Sequence, residues 1–299
     1  MKFDAVGFGA LNVDKLYHVN KIARGGEESF ILRISEAPGG SAANTIVGLA
    51  RLGAKTGFIG KIASDHEGEL LLHDFRSEGV NVEGVVIAEH GRSGTVEAFV
   101  DKKGERALYV HPSVNDTLEF KDVDLKYAEQ TEFLHLTSMD NKPFQAQKKL
   151  VEELLNVKVS FDPGEIYAKK GLTKLRPIIK RSLVVMPSEN ELRMLAEKDF
   201  KNGAAALLKE GAKIVAVKLG EKGCYVTNGS ESHLIPPFKT KVVDTTGAGD
   251  AFCAGFLYGL IKNKDLYACG RLGNFVASKC IAKVGARTGL PRASDLRCF

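Results

Sequence analysis

The chain has 299 residues (32.4 kDa), 44% hydrophobic and 26% charged, and a formal charge of +5 from 42 Lys and Arg against 37 Asp and Glu. Such a length exceeds a small disulfide-stapled scaffold, and such a composition excludes a disordered or fibrous chain. No apolar run approaches the roughly 18–20 residues of a membrane span; the longest, Ala251–Ile261, has eleven. The N-terminus lacks a signal-peptide layout, so a soluble, cytoplasmic, enzyme-sized protein with no membrane attachment is expected. Basic residues are scattered among acids without a run of five like charges, which argues against nucleic acid as a partner. A mildly positive surface suits an anionic small molecule instead. The five cysteines, Cys224, Cys253, Cys269, Cys280 and Cys298, show neither a C-x-x-C pair nor a zinc spacing. They are expected as reduced, mostly buried thiols.

In chain order, a strand is expected at Phe3–Phe8, a helix at Ser41–Leu52 stopped by Gly53, and a strand at Lys55–Ile59. A helix over Glu67–Glu78 ends at Gly79. Strands follow near Phe133–Leu136, Val157–Phe161, Leu183–Met186 and Ile214–Lys218. Helices fit between them at Lys142–Leu155, Leu172–Ile179, Glu189–Glu197 and Gly203–Lys209. Strands alternating with helical crossovers imply a doubly wound α/β fold, a mainly parallel sheet between helices, with ligands at the carboxyl ends of the strands.

Two segments break the alternation. Leu16–Ile34 and Gly94–Val110 carry strand signals without helical period, and the second reads as a hairpin of Thr95–Val100 and Arg106–Val110. They either pair into a small β-sheet lid over the strand ends or extend the main sheet at an edge; periodicity does not separate the two. With a lid, the division is an α/β body of residues 1–15, 37–92 and 112–299 and a lid of residues 16–36 and 93–111. Further β signal lies at Gly223–Thr227, Ser232–Ile235 and Lys241–Val243, followed by apolar helices at Ala251–Ile261 and Leu266–Ile281.

Several motifs carry chemistry. Gly7-Phe8-Gly9-Ala10-Leu11-Asn12 begins like a dinucleotide fingerprint, but its third glycine is absent and no helix follows, so a pyrophosphate has no N-terminus to sit on. No P-loop sequence occurs. Asn12 and Asp14, two residues apart past the first strand, are an amide and a carboxylate suited to vicinal hydroxyls, or else turn residues satisfying their own backbone. In Pro38-Gly39-Gly40-Ser41-Ala42-Ala43-Asn44 the glycines admit a ligand close to the backbone, Ser41 is the natural helix N-cap, and Asn44 lies one turn on. The strongest run is Asp244-Thr245-Thr246-Gly247-Ala248-Gly249-Asp250, followed by a helix of small residues. Consecutive amides at a helix N-terminus make an anion hole suited to a transferring phosphoryl group. Asp250 on the same turn faces the favourable end of the helix dipole, which lowers its pKa and keeps it ionised as acceptor of a hydroxyl proton. The plain alternative is that Asp250 only caps the helix.

Together the Pro38–Asn44 and Asp244–Asp250 runs resemble the signatures of the PfkB family of carbohydrate kinases, the ribokinase-like fold. The resemblance extends from Gly7 to Pro291 and implies a large α/β domain with a small β lid. It implies Asp250 as catalytic base and Gly247, Ala248 and Gly249 as its anion hole. Asn12, Asp14, Gly39, Gly40 and Asn44 fall where the family holds the sugar hydroxyls. Lys218, Gly220 and Gly223 fall beside the nucleotide phosphates, and Asn274 at the edge of the adenine pocket. Asp244 and Thr246, with the segment after Lys283, resemble a loop for K⁺. ATP, Mg²⁺ and a sugar acceptor are implied. Apart from the resemblance, strands of a lid with exposed edges often pair between subunits, so a homodimer through the lid is expected.

Two departures stand out. The family's N-x-x-E, which organises Mg²⁺ through its water shell, reads Ser188-Glu189-Asn190-Glu191, so Glu191 keeps the acid while Ser188 replaces the amide and doubles as a helix N-cap. The strand end Leu134–Ser138 lacks the glutamate that true ribokinases present to ribose. The expected activity is therefore ATP-dependent phosphorylation of a primary hydroxyl on a sugar. A nucleoside kinase is the alternative, and a sugar- or nucleotide-binding protein without turnover is the lesser one.

Overall fold

The computed structural model describes residues 2–298, with the side chains of Arg297 and Cys298 outside the described set. Its first half runs β1 (Phe3–Phe8), β2 (Asn12–Val19), β3 (Ile31–Gly39), α1 (Ser41–Arg51), β4 (Thr56–Ala63), α2 (His66–Ser77), β5 (Val85–Ala88), β6 (Gly94–Val100) and β7 (Arg106–His111). A short α3 (Leu125–Ala128), β8 (Thr131–Thr137), α4 (Asn141–Glu153), β9 (Lys158–Asp162), α5 (Gly164–Ala168) and α6 (Leu172–Arg181) follow. The chain continues through β10 (Ser182–Val185), α7 (Glu189–Ala196), α8 (Phe200–Lys209), β11 (Ile214–Lys218), β12 (Cys224–Thr227), β13 (Ser232–Ile235), α9 (Ala248–Ile261) and α10 (Leu266–Cys280).

Nine strands form the main sheet in the order β13-β12-β11-β10-β9-β8-β1-β4-β5, parallel except for the β11–β12–β13 meander. Both faces are covered, and period-two alternation sorts the strand side chains between them. Val6, Phe8, Leu134, Leu136, Val215 and Val217 pack on the side of α4, α6, α7 and α8, while Ala5, Phe133 and Ala216 pack on the side of α1, α2, α9 and α10. The chain reverses its direction of winding at β1, between β8 and β4, which opens a crevice at the carboxyl ends there.

The remaining strands form a separate sheet, β3-β2-β6-β7, which excludes the alternative of extra edge strands on the main sheet. It begins at Asn12 and reaches Gly39, closer to the body than Leu16 and Ile34. Asp14, Val96 and Val110 share one face, with Leu16, Ala98 and Leu108 beside them. Lys15, Tyr17, Glu97, Phe99 and Tyr109 share the other. On that second face Tyr17 and Phe99 stack with ring centroids 4.9 Å apart, and Tyr109 and Ile34 are exposed.

Some expectations fail for local reasons. Lys241–Val243 is not a strand: Pro236 and Pro237 follow β13 at the sheet edge, and the Val243 amide bonds the Ile281 carbonyl at the end of α10. The α1 cap is Gly40 (φ +101°) rather than Ser41, because the Ala10 carbonyl occupies the space a Cβ would need there. Val85–Ala88, an edge strand of four residues, carries too short a pattern to read. Cys224, Cys253, Cys269 and Cys280 are free and buried, and Cys298 lies outside the residues whose side chains are described.

His135 sits inside the sheet with Nδ1 3.0 Å from Ser160 Oγ, while Nε2 has no partner among the described residues. Burial pushes its pKa down to about 4, opposed by Asp162 and helped by Lys218. The unfolded chain protonates this ring near pH 6.5, so stability is intact above that pH and is lost as pH falls toward 4, by up to about 3 kcal/mol. Urea unfolding of the parent and His135→Gln from pH 6.5 to 4.5 is expected to show the loss in the parent alone. Parallel curves for the two proteins would place the titrating group elsewhere.

Candidate active site

The crevice gathers strand ends and two helix N-termini: Asn12 after β1, Asp162 closing β9, Ser188 after β10, Lys218 closing β11, and the first turns of α1 and α9. The placement of α9 follows from small residues on its faces. Gly48 of α1 leaves no room for a Cβ against Ala254, and Gly255 none against the Leu272 carbonyl of α10, so three helices pack backbone to backbone. Their contact carries Asp250 to Asn44.

Asn44 Nδ2 donates to Asp250 Oδ2 at 2.8 Å, and Thr45 Oγ1 to the Asp250 carbonyl at 3.2 Å. The cap of α9 is Gly247, in the left-handed region (φ +75°) against Ala286, and no side chain caps the helix. Asp250 is therefore not a capping residue. By contrast α2, α4, α7, α8 and α10 have side-chain caps, from Asp65, Asp140, Ser188, Asp199 and Asp265. The Ala248 amide, expected in the anion hole, bonds the Thr245 carbonyl at 3.2 Å instead, which leaves the amides of Gly249 and Asp250 in the first turn of α9 open to an anion. The expectation of a depressed Asp250 pKa is reversed: burial raises it to about 7, with Asp162 adding to the rise and Asn44, Lys218 and Arg287 opposing it. Desolvation of the carboxylate outweighs the helix dipole, which acts over a single turn.

Lys218 lies next to this helix start, its Nζ 3.3 Å from where a Cβ on Gly249 would sit. Asp162 Oδ2 receives the ammonium at 2.6 Å and the Cys253 thiol at 3.3 Å. Burial works against the Lys218 charge, but Asp162, Cys253 and Glu191 more than offset it and hold the ammonium above the ordinary lysine range. Glu191 is raised by its own burial and by Asp162. It is also half of a capping box, accepting from the Ser188 amide at 2.7 Å while Ser188 Oγ accepts from the Glu191 amide at 3.2 Å. Asp162 Oδ1 is buried without a partner among the described residues.

Across the crevice, Asn12 and Asp14 lie on β2 opposite Gly39 and Ala37 of β3. A Cβ on Gly39 would strike the Asp14 carboxylate, so this glycine makes room for the acid. Burial lifts the Asp14 pKa to about 6, with Arg287 pulling the other way. Asn115, in a 3-10 turn over Ser113–Thr117, donates to Asn12 Oδ1 at 3.0 Å and so turns the Asn12 amide nitrogen away from itself.

The other expected residues lie farther out. Gly220 and Gly223 flank the turn from β11 to β12, each with positive φ. Asn274 is buried in α10 and donates to the Ile235 and Pro236 carbonyls, which fastens the end of β13. Asp244 and Thr246 do come together with the later segment: Asp244 accepts from Thr246 Oγ1 at 2.7 Å and from the Gly285 amide at 2.8 Å. Arg106 of the small sheet reaches Asp244 at 3.7 Å, so the face that carries Asp14 is turned toward the crevice. A cavity of about 380 Å³ bounded by Lys15, Glu67, Arg92, Glu97 and His111 lies on the opposite face and holds none of these groups.

Residues 4–293 match the pfkB family carbohydrate kinase. The chain belongs to the PfkB family of carbohydrate kinases. It is 50% identical over 253 residues to an uncharacterized sugar kinase of Archaeoglobus fulgidus, covering 83% of this chain and all of the relative. It is 31% identical over 291 residues to the ATP-dependent ribose-1-phosphate kinase of Halopiger xanaduensis, covering 97% of this chain and 96% of the relative. Ribokinase from Thermotoga maritima superposes with a TM-score of 0.91 at 26% identity over 99% of both chains. This PfkB chain is thus an ATP-dependent carbohydrate kinase with the ribokinase-like fold.

Sequence reasoning missed four residues around the PfkB signatures: Asp162, Asn115, Arg287 and Asp74. Asp162 directly follows the expected strand Val157–Phe161 and ends the observed one at the carboxyl edge of the sheet, and that position was the available signal. The others act through neighbours distant in sequence and leave no local pattern.

Proposed function

We propose that the chain transfers the γ-phosphoryl group of ATP to a primary hydroxyl of a sugar held between the two sheets, the smaller acting as a lid. The observation that carries this reading is Asp250: a half-buried carboxylate, not used as a cap, on a helix start whose Gly249 and Asp250 amides are open beside Lys218. Asp250 accepts the hydroxyl proton as the sugar oxygen bonds to phosphorus and the bond to the ADP oxygen breaks. The amides of Gly247, Gly249 and Asp250, with Lys218, stabilise the charge on the transferring group. Asn12, Asp14, Gly39, Gly40 and Asn44 orient the sugar hydroxyls, and Gly220 and Gly223 let the turn after β11 approach the nucleotide.

Mg²⁺ fits the residues present. Asp162, with its unpartnered Oδ1, and Glu191 are hard oxygen donors at the phosphate end of the crevice. Among the described residues no group of three or more His, Cys, Asp and Glu side chains is placed to enclose a metal, which suits a hydrated ion arriving with the nucleotide. When bound, Mg²⁺ neutralises phosphate charge.

A nucleoside acceptor is the second reading. Leu108 and Val110, exposed on the face of the lid that looks into the crevice, offer apolar surface to a base. ADP release measured against free sugars, sugar 1-phosphates and nucleosides, with Mg²⁺ and with or without K⁺, separates the two. Turnover on sugars or sugar phosphates alone supports the first reading, and turnover on nucleosides alone the second. ATP binding without ADP release on any acceptor would sink both, and an unchanged rate without K⁺ would remove the role of Asp244 and Thr246 as a cation loop.

A further inference from the structure

We infer that Arg287, in the segment after α10, is a positioning residue for phosphoryl transfer: it fixes which way the Asn44 amide points and thereby which oxygen of Asp250 faces the acceptor hydroxyl. The inference rests on Asp250 as the base.

The argument is one of hydrogen-bond polarity. Arg287 Nε donates to Asn44 Oδ1 at 2.8 Å, and Asn44 Nδ2 donates to Asp250 Oδ2 at 2.8 Å. A guanidinium has no acceptor and an ionised carboxylate has no donor, so the amide between them has one stable orientation. With Oδ2 held by Asn44, and no partner on Oδ1 among the described residues, Oδ1 is left for the incoming hydroxyl. Without Arg287 the amide is free to turn, and its oxygen would then meet the carboxylate.

Arg287 is itself held in place. It is 8% exposed, its Nη1 pairs with Asp74 Oδ2, and its Nη2 is 3.4 Å from the Gly39 carbonyl. Its own carbonyl accepts from Arg51 Nη1 at 2.5 Å, and Arg51 pairs with Glu78, the C-cap of α2 four residues after Asp74. One buried cation thus ties α2, the end of β3 and α1 to the base on α9.

The charge has a second effect. The groups facing Asp250 are Asp162 from β9, Lys218 from β11, Cys253 on α9, Cys280 from α10 and Arg287. Those facing Arg287 are Asp14, Asp74, Glu78 and Arg51. Arg287 opposes protonation of both Asp250 and Asp14.

The test is the pH profile of kcat/KM for Arg287→Met, Arg287→Lys and the double variant Arg287→Met/Asp74→Leu. The double variant removes the stranded acid, so a folded protein is available even if Arg287→Met alone unfolds. The methionine variants are expected to lose kcat by about ten- to a hundredfold through misplacement of the base, and to move the acid limb to higher pH. Arg287→Lys keeps the charge and is expected to leave the limb near the parent position. A folded methionine variant with the parent's kcat and acid limb overturns the inference, as does a lysine variant displaced as far as methionine. Turnover surviving in Asp250→Asn would instead overturn the base. Loss there, with an unaltered Arg287→Met, defeats the role of Arg287 alone.

Discussion

Asp250→Asn is expected to lower kcat by about 10²–10⁴-fold, because the amide cannot accept the hydroxyl proton while the helix amides still bind phosphate. In the parent, kcat/KM is expected to rise with pH through about 7, since burial holds the Asp250 carboxyl protonated below that range and only the ionised form acts as base. Nucleotide affinity, read by titration calorimetry, is expected to stay near the parent value. A variant that keeps its turnover would remove Asp250 from the role of base, and an acid limb near pH 4 would remove the effect of burial on its pKa. Protonated Asp250 also favours folding as pH falls, opposite in sign to His135, so stability and activity are expected to follow different pH curves.

The second large effect is expected for Lys218→Met. Lys218 and Asp162 are both largely buried and 2.6 Å apart, and Asp162 already lies near Glu191 and Asp250. Removing the ammonium leaves Asp162 desolvated without its counter-charge, a change that costs about 3–5 kcal/mol when one partner of a buried pair is deleted. It also removes the cation beside the anion hole, for which a loss of about 10²–10³ in kcat is expected. Lys218→Met/Asp162→Leu reads the stability effect, which is expected to be recovered there; because Asp162 is also a proposed Mg²⁺ donor, the effect on activity is read in folded Lys218→Met alone. If folded Lys218→Met keeps the parent's kcat, Lys218 acts only as a structural counter-ion.

Much of the fold is legible locally. Ile214–Lys218 appears as expected, because β-branched residues bounded by turns specify a strand whatever its neighbours. The helix expected at Ala251–Ile261 is visible from its apolar run, although it starts at Ala248, and its small residues anticipate close packing without naming the partner helices. Val85–Ala88 and the early start of β2 are not legible, because four residues carry no period and a strand after a Gly-rich turn has no boundary of its own. Ser41 misleads: its type favours an N-cap, but the Ala10 carbonyl, brought in by tertiary folding, makes Gly40 the residue that fits.

The candidate site divides along the same line. Asp250, Gly247, Gly249 and Asn44 are marked by short-range pattern, since an anion-binding helix start needs glycines and an acid within one turn; Lys218 is marked by the family resemblance alone. What only the tertiary structure decides is which of these residues meet and how they are charged. Asn44 and Asp250 are 206 residues apart, and Asn44 and Arg287 are 243 apart, so no local rule sets their hydrogen bonds. The pKa of Asp250 is decided by burial between packed helices rather than by its place on a helix, because desolvation depends on everything around the carboxylate and not on the residues beside it in the chain.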